Sequence, residues 1–154
     1  MHVRLIALFC LCALAGCPAP PCVLPVELSA LAGAGATDCG TVGLGADSGG
    51  VDACVVAAFE AHEAFFAVYD LQGIDSQVST ALASDGETVW SLFRDSDPSG
   101  GSHVGARISR SECVSPVVNA SGEGHPLNCD STGCVCSTNV CGGDNLDQSD
   151  CCGG

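Results

Sequence analysis

From position 51 the apolar residues return at steps of three and four: Val51, Cys54, Val55, Ala58, Phe65, Phe66 and Tyr69, with His62 on the same stripe. Asp52, Glu60 and Glu63 fall off it, so the pattern predicts an amphipathic helix over about 51–69, opened by Ser48 or Asp47 as its cap and followed by Gly73. Beyond it the period drops to two. Val78, Thr80 and Leu82 alternate with smaller residues, Asp85-Gly86 marks a tight turn, and Glu87 to Arg94 is rich in strand formers. A second turn, Asp95 to Ser102, leads into an alternating stretch over 103–110. The expected fold class is therefore α+β: one amphipathic helix packed on a three- to four-stranded antiparallel meander, with a disulfide-rich irregular tail where periodicity fades.

The N-terminal stretch reads differently. Arg4 precedes an apolar run, Leu5 to Ala13, that has the length of a signal peptide and is too short to cross a bilayer. It ends in Leu14-Ala15-Gly16-Cys17, which resembles the lipobox of bacterial lipoproteins. The resemblance implies cleavage before Cys17, a diacylglyceryl group on its sulfur, and an acyl chain such as palmitate on its new amino group. Two or three chains hold durably where one holds marginally. Pro18, standing where that family carries Asp for inner-membrane retention, implies the outer membrane. The organisation expected is a signal peptide over 1–16, a Pro/Ala/Gly-rich tether over 17–37, an α+β domain over 38–130 and a Cys-rich tail over 131–154. A short helical turn around Glu27 to Leu31 fits inside the tether, and Gly33 and Gly35 argue against a longer one.

Charge and cysteine usage narrow the function classes. The chain holds 18 carboxylates against four Lys or Arg, a formal net charge of −14, and without the signal only Arg94, Arg107 and Arg110 remain as fixed cations. Such a surface repels phosphate backbones and anionic headgroups, which excludes nucleic acid as a partner and leaves membrane attachment to the lipid. Of 13 cysteines, Cys10 and Cys12 leave with the signal and Cys17 takes the lipid. Cys22, Cys39, Cys54, Cys113, Cys129, Cys134, Cys136, Cys141, Cys151 and Cys152 remain as disulfide candidates, an even set that suits an oxidising periplasm or cell surface.

The chemical motifs are sparse. Asp47-Ser48-Gly49-Gly50 resembles the nucleophile segment of trypsin-like proteases, but Ala46 stands where that family has Gly, the chain is too short for its two barrels, and helix capping accounts for Ser48. Gly101-Ser102-His103-Val104 lacks the second glycine of a nucleophile elbow. Asp95, Asp97 and Ser99 followed by Gly100 resemble the first half of a calcium loop, without its bidentate Glu, and the same residues suit a type I turn around Pro98. The tail lacks a Cys-x-x-Cys metal motif, and Cys134-Val-Cys136 lacks the positive setting of a reactive pair. Asn119-Ala120-Ser121 matches a glycosylation acceptor, a pattern common by chance. The expectation is a membrane-tethered, non-enzymatic binding or structural module with an envelope or extracellular partner and no cofactor unless calcium. The alternative is a small periplasmic enzyme or enzyme inhibitor that uses the 95–103 loop with His103.

Overall fold

A computed structural model describes residues 23–98, 106–119, 125–129 and 138–141. They form an α+β domain around a six-stranded mixed sheet. Strand β1 (Thr37–Val42) runs into helix α2 (Gly49–Glu60), which returns the chain to β2 (Phe65–Leu71). β1 and β2 are parallel, so a crossover of helical length must join them. β3 (Val78–Ser84), β4 (Val89–Asp95) and β5 (Arg107–Glu112) then follow as the expected antiparallel meander. β8 (Thr138–Cys141) pairs antiparallel with β5 at the far edge, while β6 (Pro116–Val118) and β7 (Leu127–Cys129) form a separate two-stranded ribbon.

The sheet is larger than a three- to four-stranded meander, and it is covered on both faces. The first helix, α1 (Leu24–Ala32), lies where a tether is expected. Its Leu24, Leu28 and Ala32 are buried at successive four-residue steps, and Leu24 and Leu28 share a cluster with Ala81, Ala83, Leu92 and Ile108. Gly33 ends α1 at φ 82°, so the glycines limit this helix without preventing it. The opposite face carries Val55 and Ala58 of α2 over Phe65, Ala67, Leu82 and Val89.

The helix expected over 51–69 stops at Glu60. Ala61 caps it, and His62 takes the left-handed conformation at φ 56° while Glu63 N–H donates to Ala58 C=O at 2.9 Å. This is a Schellman-type stop with histidine in the position that usually favours glycine. His62 is consequently exposed in a turn rather than buried on a helical stripe. Phe65, Ala67 and Tyr69 belong to β2 and face the α2 core, while Phe66 and Val68 pack on the α1 side. A strand buried on both faces reads as a continuous apolar run, which coincides with the helical spacing over this short stretch.

The Asp85-Gly86 turn joins β3 and β4 as the sequence predicts. Asp85 Oδ1 accepts the N–H groups of Glu87 and Thr88 at 3.0 and 2.8 Å, and these donors hold its carboxyl below the ordinary range. Gly86 has φ 97°, and a Cβ there would stand 2.7 Å from His62 C=O. The turn thus packs directly on the stop of α2. Gly86→Ala is expected to destabilise by roughly 1–3 kcal/mol, because both the backbone angle and a fixed carbonyl oppose the methyl. An unchanged urea midpoint would contradict that contact.

Candidate functional site

Among the described residues two disulfides shape the α2 face. Cys39 of β1 bonds Cys54 of α2, and Cys113, just past β5, bonds Cys129 of β7. The first holds α2 on the sheet edge, and the second draws the β6–β7 ribbon over the same face. Cys54 is thereby a structural bridge. Cys141 falls in β8, whereas Cys17, Cys22, Cys134, Cys136, Cys151 and Cys152 lie outside the described residues.

Between α2 and the ribbon lies a groove of about 380 Å³, lined on the helix side by Asp52, Val56, Ala57 and Glu60 and on the other by His125 and Pro126. Behind it runs a chain of polar side chains. Ser48 does not cap α2 through its hydroxyl; it donates to Asp52 Oδ2 one turn on. Tyr69 reaches across from β2 and donates to Asp52 Oδ1 at 2.9 Å. The His125 ring stands edge-on to Tyr69, with centroids 4.8 Å apart and planes at 82°, and its Nε2 lies 2.8 Å from Thr80 Oγ1. Asn119 donates its side-chain amide to His125 C=O at 3.0 Å, which fixes the segment that carries the histidine.

The electrostatics favour fixed protonation states. Burial, then the hydrogen bond and negative charge of Asp52, push the Tyr69 phenol far above its ordinary range, so it serves as a donor and stays neutral. Burial lowers His125, with the Asp52 charge opposing, and its Nδ1 is buried with no hydrogen-bond partner among the described residues. The folded state therefore disfavours the protonated imidazole. Its contribution to stability is full above the unfolded value of 6.5 and is lost as pH falls from there through the folded value. Urea midpoints are expected to hold above that pH and drop below it. His125→Gln should flatten this part of the profile, and the same slope in the variant would assign it to other groups. The lowered carboxyls of Asp85 and Asp95 add a loss of the same sign only below 3.8.

The loop proposed from sequence is described only from Asp95 to Pro98. Asp95 Oδ1 accepts Asp97 N–H at 2.9 Å, and this bond, Ser76 and Arg94 hold its carboxyl below the ordinary range. That is the local geometry of an Asx turn. Ser99 and His103 lie outside the described residues, as does Ser121 of the glycosylation pattern. Among the described residues no group of three or more His, Cys, Asp or Glu is placed to hold a metal ion, and no helix is long and apolar enough to cross a membrane.

No family model matches the chain, and neither a curated protein nor a solved structure is detectably similar to it. The groove has to be understood from its own residues. Asp52 carries no signal in the sequence beyond a polar position on the outer face of a helix. His125 sits in a stretch without periodicity, and only the Cys113–Cys129 bond and the ribbon bring it to Tyr69.

Proposed function

We propose that the chain is an exported lipoprotein, anchored through acylated Cys17 to the bacterial envelope at the outer membrane. Its folded part is a non-enzymatic binding or structural module for an envelope or extracellular partner. The observation that supports this reading is the pair of disulfides that hold both walls of the α2 groove, Cys39–Cys54 behind the helix and Cys113–Cys129 behind the ribbon. Bonds of this kind persist in oxidising compartments, and a groove with cross-linked walls presents a preorganised surface to a ligand. The polar chain beside it favours binding over reaction. Ser48 spends its proton on Asp52, the Tyr69 hydroxyl is held un-ionised, and His125 contacts Thr80 rather than a hydroxyl with a free path to the groove.

The anchor is tested by expressing the full chain in a bacterium and comparing it with Cys17→Ser. The expected result is a membrane-bound product, cut before Cys17 and heavier by a diacylglyceryl group, with the variant uncut or released. A cleaved product of unmodified mass in the soluble fraction would overturn the lipoprotein reading.

A further inference from the structure

The groove has a chemistry of its own. Asp52 and Glu60 lie along one helix, about 12 Å apart at 1.5 Å of rise per residue, with Val56 and Ala57 between them and Pro126 opposite. Carboxylates thus stand at the two ends of an apolar trough. Arg94 lies on β4, Arg107 and Arg110 lie on β5, and none of the three lines the groove. Among the described residues the one remaining ionisable group on its wall is His125, whose Nε2 is engaged with Thr80. The net charge of −14 adds a long-range attraction for cations.

We infer that this groove binds a linear aliphatic diamine, one ammonium group at Asp52, the other at Glu60, and the methylene chain laid on Val56, Ala57 and Pro126. The inference rests on the binding-module reading and names its ligand class. Two carboxylates eight residues apart on one helix favour a two-headed ligand over a monoamine, because a single ammonium satisfies one carboxylate and leaves the other end of its chain against charge. Asp52 keeps its negative role while accepting from Ser48 and Tyr69, since a carboxylate has acceptor sites for more than two donors. The disulfide-held walls remove the ordering that a flexible groove would require.

The test is a calorimetric titration at low salt of the full chain, purified without reductant, with diaminooctane and with octylamine. Saturable one-to-one binding of the diamine, several-fold tighter than octylamine, is expected. Glu60→Gln should weaken it by about threefold to fivefold, as expected for the loss of one exposed ion pair. Ala57→Tyr, at an exposed helix position, fills the trough and should abolish binding with an unchanged circular dichroism spectrum. Glu87→Gln, in the turn after β3, serves as the control and should change nothing. Absence of saturable heat would overturn the inference. So would equal weakening by Glu60→Gln and Glu87→Gln, which indicates diffuse attraction to an acidic surface. Neither outcome touches the anchor, which is read from the mass at Cys17.

Discussion

Reducing the Cys39–Cys54 and Cys113–Cys129 bonds is expected to remove about 6 kcal/mol of stability, roughly 3 from each, and to unfold the domain at 37 °C. The two close loops with sequence separations of 15 and 16 residues. Loops of that size restrict the unfolded chain by about 3 kcal/mol each in the chain-entropy account. Small domains have only about 5–15 kcal/mol in total, so losing both leaves little. The bonds differ in what they hold. Cys39 lies on the edge strand β1, whose parallel register with β2 is interrupted between Asp38 and Thr41. Cys113 is buried, and its N–H donates to Val89 C=O at 2.8 Å, so its bond fastens the β6–β7 ribbon to the α2-side core. Thermal melts of the paired serine variants, Cys39→Ser with Cys54→Ser and Cys113→Ser with Cys129→Ser, separate the two contributions. The second pair should also expose His125 and shift its titration toward 6.5, the value of a free imidazole. A domain that melts at the same temperature with and without reductant would show that the core alone suffices.

The parts of the fold legible in the sequence are those whose signals are local. Alternation and Asp85-Gly86 locate β3 and β4, because the hairpin's register runs without a break from Val78↔Asp95 to Ser84↔Val89. The start of α2 is legible from its capping region and stripe. Its end is not, because the stop depends on His62 adopting a conformation that its residue type does not favour. β1 is hidden by Gly40, at φ 100°, which interrupts alternation at the bulge. α1 is legible only as a short turn at Glu27 to Leu31, because its full length depends on a sheet face lined by Ala81 and Ala83, small enough for Leu24 and Leu28 to seat closely. The groove depends on still longer connections. Asp52, Tyr69 and His125 are remote in sequence, and only the parallel crossover and the ribbon together make them neighbours.

Phe65→Ala is expected to cost about 3–5 kcal/mol, while Phe66→Ala, one position on, should cost clearly less. Phe65 is fully buried at the start of β2, paired with Thr37 of β1 and Ser84 of β3, and sits in the cluster with Val55, Ala58 and Leu82. Its ring therefore fills the space where the crossover helix meets the sheet. Within that cluster Ala67 and Ala58 have nothing to extend into the void. Phe66 points to the other face, where it is only half-buried against the cluster of Leu24, Leu28, Ala81 and Ala83. The contrast distinguishes the strand from the helix that the apolar spacing suggests. On a helix over 51–69 both rings lie on the stripe and both truncations cost alike, whereas on β2 the two residues serve separate layers. Urea denaturation of the two variants gives the difference directly, and equal losses would contradict the placement of β2. Because Tyr69 shares the face of Phe65 four residues on, the same register that makes Phe65 a core residue also directs the Tyr69 hydroxyl to Asp52. A slip by one residue would turn the ring of Tyr69 toward α1 and take its hydroxyl away from Asp52.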